Sequence, residues 1–223
     1  MPKIFISWWG NIQQSASFDK LYYQNLWWKS ILYIPRALYP WRYDSAREWI
    51  DSLFPSSQWY KVTLLQPDEN ISDLDIDSYD GLYIGWWNTF RLLHLVRSTW
   101  FDNIIQKFIE WGKPIYGWSA WAIIFGKEIN TSSDRNITRL WFNETDWFNY
   151  FWWYSICCHY NDKLDAEIFD YINNYNIPVI ALPEEVWCYN NNNKFYVAGE
   201  WSAYLFTSQG KTVFKFWEEI NLS

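Results

Sequence analysis

The chain has little basic charge, little cysteine and few histidines, and each shortage removes a class of protein. Eighteen Lys and Arg stand against 25 Asp and Glu, a net charge of -7. That balance lacks the basic surface a phosphate backbone needs and excludes nucleic acid as the expected partner. The three cysteines, Cys157, Cys158 and Cys188, are too few and oddly numbered to staple a secreted scaffold, so a reducing cytoplasm is expected. With two histidines and no C-x-x-C spacing, neither a metal nor another cofactor is expected. The longest nearly uncharged stretch, Pro114 to Gly126, is too short to cross a bilayer. The opening MPKIFIS has no apolar core of an export signal. No membrane partner is expected. Half of the residues are apolar, enough for a large core, and 223 residues fit a single domain over 1–223.

Glycine is the strangest shortage. At the usual frequency of about 7% roughly 16 would be present, whereas the chain has 8, beside 20 tryptophans. Tryptophans also stand where turns call for glycine: Trp8-Trp9-Gly10-Asn11, Trp27-Trp28-Lys29 and Trp111-Gly112-Lys113-Pro114. A left-handed backbone costs a residue with a Cβ about 1 to 2 kcal/mol, and an indole blocks close approach of backbone. Either these are aromatic platforms, or they are glycines whose UGA codons were read as tryptophan. Trp41, Trp49 and Trp59 sit in segments with no evident demand for glycine and are expected to be genuine.

Short β-rich runs alternate with amphipathic ones. Lys3 to Ser7, Ser30 to Pro35, Lys61 to Gln66, Gly81 to Gly85, Pro114 to Gly117 and Tyr154 to Cys158 read as strands. Asp44 to Phe54, Asn88 to Ser98, Phe101 to Trp111 and Asp162 to Tyr175 read as helices, with Asn88 and Asp162 as N-caps. This order predicts an α/β fold with a mainly parallel sheet covered on both faces. Ile177 to Leu182, Lys194 to Ala198, Ala203 to Thr207 and Thr212 to Phe216 read as an antiparallel extension of that sheet, with a hairpin turn at Asn190 to Asn193.

The sharpest chemical signal is Ile115-Tyr116-Gly117-Trp118-Ser119-Ala120-Trp121-Ala122, a strand running through a serine into an apolar helical stretch. Such an elbow exposes a serine Oγ and aims backbone N–H groups at a developing oxyanion. Serine needs a base. His94 lies among leucines on a helix and reads as structural, whereas His159 follows a strand, where open α/β sheets place their sites. Asp134 or Glu184 would orient its ring. Gly85-Trp86-Trp87-Asn88-Thr89-Phe90 is a second strand-to-helix turn, suited to an oxyanion if glycine stood at both tryptophans.

These segments resemble the peptidase E (aspartyl dipeptidase) family of serine peptidases, relatives of cyanophycinase. Gly85 to Phe90 is similar to its GGGNTF turn and Gly117 to Trp121 to its GGSAG elbow, every mismatch being glycine to tryptophan. The resemblance implies a three-layer α/β/α sandwich like class I glutamine amidotransferase domains, with Ser119 as nucleophile and His159 as base. Asp134 is its implied acid, or alternatively Glu184, while Gly85, Trp86, Trp87 and Ala120 would form the oxyanion hole. Asn88, Arg135 and Arg139 are candidates for substrate contacts. The implied reaction is hydrolysis of dipeptides or short peptides with an N-terminal Asp, by a monomer or homodimer. Indoles at 86, 87, 118 and 121 would be expected to obstruct this site, which leaves a non-catalytic binding protein on the same scaffold as an alternative. Another serine-dependent amide or ester hydrolase is a further one.

Overall fold

In the central strands, alternate residues differ in kind as well as in direction. On β1 (Lys3–Ser7), β2 (Ser30–Ile34), β4 (Gly81–Ile84) and β5 (Pro114–Trp118), the aliphatic Ile4, Ile6, Leu32, Ile34, Leu82, Ile84 and Ile115 join one buried cluster. Phe5, Tyr33, Tyr83 and Tyr116 join another on the opposite face. A two-residue repeat buried on both faces requires a layer of helices on each side. The structure, a computed structural model, describes residues 3–7, 12–35, 42–85, 88–99, 101–133, 148–151, 153–191, 194–199, 201–215 and 218–220.

Helices α1 (Ile12–Tyr23) and α2 (Tyr43–Leu53) cover the aromatic face through Phe18, Tyr22, Tyr43 and Ile50. On the aliphatic face lie α3 (Thr89–Ser98), α4 (Phe101–Glu110) and α5 (Ala120–Phe125). Asn88 caps α3 as expected, its Oδ1 accepting from the Arg91 N–H at 2.9 Å. Strand β3 (Lys61–Leu64) pairs parallel with β2, β2 with β4, β4 with β5 and β5 with β1. Strands β8 (Val186–Asn191), β9 (Lys194–Gly199) and β12 (Glu219–Ile220) then extend this sheet in antiparallel fashion beyond β1.

The C-terminal strands depart from expectation in one respect. β7 (Val179–Leu182), β10 (Ala203–Thr207) and β11 (Gly210–Phe214) leave the main sheet and form a second one with β6 (Ser155–Cys158), in the order β11-β10-β7-β6. The physical reason is edge occupancy. β8 takes the free edge of β1, so β7 pairs parallel with β6 instead. Helix α6 (Asp165–Tyr175) covers this small sheet through Ile168, Tyr171 and Ile172. Asp162 does not cap it: Asn161 Oδ1 accepts from the Lys163 N–H at 3.2 Å and opens a 3₁₀ turn over Asp162–Leu164 that leads into the helix. Of the hairpin turn expected at Asn190 to Asn193, Asn190 and Asn191 instead end β8, paired with Phe195 and Lys194 of β9, and residues 192–193 lie outside the described residues. Among the described residues no helix is long and apolar enough to cross a membrane.

Tryptophan behaves differently from place to place. Near Trp27 and Trp28 the left-handed φ falls on Lys29 (55°), and after Trp111 it falls on Gly112 (66°), so those turns do not ask it of an indole. Trp59 and Trp153 do adopt it, at 69° and 73°. The expectation that Trp59 meets no glycine demand is thereby corrected: it ends a 3₁₀ turn in the conformation glycine favours.

Candidate active site

The site is built where two sheets present their strand ends. β5 stops at Trp118, and Ser119 turns the chain into α5 with φ 44° and ψ -103°. The turn is fixed by main-chain bonds: Ser119 N–H donates to the Ser7 carbonyl at 2.7 Å, and the Ser119 carbonyl accepts from Ile123 N–H at 3.0 Å. Gly117 leaves room for it, since a Cβ there would lie 3.0 Å from the Trp121 Cβ. Ala120, the first residue of α5, follows directly, so its N–H belongs to the unsatisfied first turn of a helix.

At the end of β6, His159 also takes a left-handed φ, 59°. Cys158 pairs with Leu182 on β7, and Tyr160 N–H donates to the Leu182 carbonyl at 3.1 Å. This places His159 Nε2 3.2 Å from Ser119 Oγ. A cavity of about 360 Å³ opens beside the pair, lined among others by Asn130, Thr131, Ser133, Asn161 and Tyr171. Below it Glu128 is buried and accepts hydrogen bonds from Asn130 and Tyr171. Cys157 and Cys158 also line the cavity, but burial pushes the Cys157 thiol up to about 12 and raises that of Cys158 well above the ordinary thiol value. Burial thus disfavours the thiolate form of both cysteines.

The indoles of the elbow do not obstruct it. Trp118 points into the aromatic face, 4.4 Å between ring centroids from the half-buried Trp49, and Trp121 packs edge-on against Phe101 at 5.2 Å. Neither lines the cavity. Among the described residues the Trp121 indole N–H is nevertheless buried without a hydrogen-bond partner, which costs about 1 to 3 kcal/mol.

A strained serine at a strand-to-helix turn, facing a histidine, is an arrangement that serine-dependent hydrolases of several kinds share, and comparison of the chain gives it a family. The profile of Peptidase family S51 matches residues 17–198. The chain belongs to peptidase family S51. A peptidase E of Shewanella amazonensis is 31% identical over 110 residues, covering 42% of this chain and 47% of that protein. A peptidase E of Shewanella sp. W3-18-1 is 40% identical over 62 residues, 28% of this chain and 26% of that protein. The matches thus span half or less of these relatives. In fold, this S51 chain is similar to a candidate peptidase E protein from Listeria monocytogenes EGD-e, with TM-score 0.69 at 19% identity, covering 89% and 98% of the two chains. It is similar also to a peptidase from an acI-B1 actinobacterium, with TM-score 0.73 at 14% identity, covering 99% and 96%. The fold is the three-layer, class I glutamine amidotransferase-like α/β type.

The remaining candidates of this S51 chain fall into two groups. Gly85 closes β4, its N–H donating to the Ile34 carbonyl at 3.1 Å, and a Cβ there would approach the Tyr33 hydroxyl to 2.8 Å. Glu184 stands two residues beyond β7, exposed, and makes no hydrogen bond or ion pair among the described residues. His94 is exposed on α3 and does not line the cavity. Trp86, Trp87, Asp134, Arg135 and Arg139 lie outside the described residues. Ser133, the residue before Asp134, does line the cavity. The small polar side chains of 130–133 were missed by sequence reasoning. Their only signal was a polar run, which reads equally well as an ordinary loop.

Proposed function

We propose that this chain is a serine peptidase that hydrolyses dipeptides or short peptides with an N-terminal Asp through an acyl-enzyme on Ser119. The observation that carries the reading is the 3.2 Å approach of Ser119 Oγ and His159 Nε2, with Ser119 at φ 44°. Non-glycine residues are held so only when the surroundings enforce it, and such strain clusters at active sites. In the reaction Ser119 Oγ attacks the carbonyl of the N-terminal residue while His159 Nε2 takes the hydroxyl proton. The tetrahedral oxyanion meets the Ala120 N–H and the turn that begins at Gly85. Collapse breaks the C–N bond, the amine leaves with the proton from His159, and water, deprotonated by the same imidazole, releases the acid.

Asp134 is the proposed third member. Ser133, the residue before it in sequence, lines the cavity, whereas Glu184, the other choice, is exposed. Arg135 or Arg139 would pair the carboxylate of an Asp substrate bidentately. The test is a panel of Asp-X, Ala-X and isoaspartyl dipeptides, offered to the chain, to a variant with glycine at 86, 87, 118 and 121, and to the Ser119→Ala form of each. Cleavage of Asp-X that vanishes with Ser119→Ala is expected, and fastest with the glycines in place. Binding of peptides without turnover by both folded proteins would replace the reading with the non-catalytic one.

A further inference from the structure

The turn that carries His159 is held at its strand and again at the next residue. Its φ of 59° is costly for a residue with a Cβ, and its side chain is exposed. Tyr160 N–H donates to the Leu182 carbonyl, and its side chain is held as well. Tyr160 is buried against Tyr204 and Phe206 of β10, with ring centroids 4.9 and 5.6 Å away. Its hydroxyl accepts from Lys211 Nζ and shares its own proton with the carboxylates of Asp162 and Asp165.

Lys211, on β11, is the hub. Its ammonium donates to Asp162 Oδ1 at 2.9 Å and to Asp165 Oδ2 at 3.1 Å, and lies 4.6 Å from the centre of the Tyr204 ring. The side chain is 22% exposed, against 84% for Asp162. Burial alone would lower its pKa, yet Tyr160, Asp162 and Asp165 together hold it above the ordinary lysine value. One cation therefore ties the β10–β11 hairpin to three points of the segment that runs from His159 to the first residue of α6. Asn161 and Leu164 of that segment line the cavity.

We infer that Lys211 is a positioning residue for the reaction at Ser119, its ammonium clamping Tyr160, Asp162 and Asp165 so that the 159–165 segment presents His159 Nε2 to Ser119 Oγ. The inference rests on the peptidase reading of the site. Lys211 is only partly exposed, so its loss lowers melting in either case, but a merely structural Lys211 would leave the kinetics of the folded protein unchanged. A base displaced by a fraction of an ångström changes turnover far more than binding.

The experiment measures labelling of Ser119 by a fluorophosphonate, and Asp-X turnover, for the unmodified chain, Lys211→Met, Lys211→Arg and Asp162→Asn. Lys211→Met is expected to lower the labelling rate and kcat by roughly ten- to a hundredfold, with KM changed less than about threefold. Lys211→Arg, which can still reach its acceptors, restores most of the rate, and Asp162→Asn loses an intermediate amount. Labelling of Lys211→Met at the unmodified rate, or a loss expressed in KM alone, overturns the inference. Should Lys211→Met not fold, equal rates for the unmodified chain, Lys211→Arg and Asp162→Asn overturn it as well. A folded, unmodified chain that is neither labelled nor active fails differently: it removes the peptidase reading itself.

Discussion

Ser119 and His159 both stand one residue beyond a strand, both in the left-handed region, and they are held by opposite means. The serine is fixed from inside. Its neighbours Trp118, Ala120 and Trp121 are buried on the two faces of the main sheet, and main-chain bonds to Ser7 and Ile123 close the turn. The histidine has a main-chain bond beside it too, from Tyr160 N–H to the Leu182 carbonyl, but its turn is otherwise held from outside, by the ammonium of Lys211 and the carboxylates of Asp162 and Asp165 beside the buried ring of Tyr160. The difference teaches where each half of the pair is vulnerable. A core-held nucleophile yields to changes of volume and to burial of charge, whereas a charge-held base yields to loss of a partner.

The largest expected effect treats the two halves as one machine. Ser119→Ala and His159→Ala should each cut kcat by about 10⁴-fold or more, and the double variant should be no worse than either, because members of such a unit are not additive. Steady-state rates on Asp-X dipeptides check this. Multiplicative losses in the double variant would show that the serine and histidine act separately, and the comparison between two supports of one device would break.

A second prediction sharpens the core-held half. Asp19 on α1 is buried in the layer beneath the elbow strand, where Ser15 Oγ donates to it at 2.7 Å. Burial lifts its pKa from 3.8 to about 6. Between those values the folded chain keeps a proton that the unfolded chain has released, so stability falls as pH rises through the window. Above about pH 6 the whole penalty applies, on the order of 3 kcal/mol. Urea unfolding at about pH 4.5 and 7 is expected to show this extra pH dependence in the unmodified chain and not in Asp19→Asn. Identical pH slopes for the two would mean that Asp19 keeps its ordinary acidity and that the elbow's support carries no titratable weakness.

How much of this was legible in the sequence differs along the same line. Strands β1, β2, β4 and β5 announce themselves by β-branched and aromatic residues bounded by turns, and Ser119 by the break from strand to helix. Asn88 could be read as a cap because its partner, Arg91, is three residues away. Local information ends there. That β7 would join β6 was illegible, because the choice depends on β8 occupying the edge of β1. Helix α1 passed unread since its residues, IQQSASFDKLYY, are only weakly amphipathic. Lys211 reaches Asp162 across 49 residues, and no spacing rule connects a hairpin lysine to a histidine turn. The inner support of the nucleophile was therefore readable in outline, and the outer support of the base was not.

The smallest effect extends the comparison to strained residues without chemistry. Trp59 takes a φ of 69°, comparable with Ser119 and His159, yet it is 83% exposed and caps a 3₁₀ turn far along the chain from either. Its strain supports nothing in the reaction, so it should be removable. Trp59→Gly is expected to stabilise the chain by about 1 kcal/mol through relief of the left-handed penalty, less the entropy glycine loses on folding. In a domain of this size that raises the melting midpoint by roughly 2 to 4 °C. Trp153, at 73° and 65% exposed, should respond less, because the Lys127 ammonium rests 4.7 Å from its ring and is lost with it. Glycine at Ser119 or His159 would relieve comparable strain and abolish activity. A gain at position 59 with turnover unchanged is what separates strain that serves the site from strain that an indole merely brings to a glycine place. A fall in the midpoint for Trp59→Gly would instead make the exposed indole a stabilising contact and count against reading it as a displaced glycine.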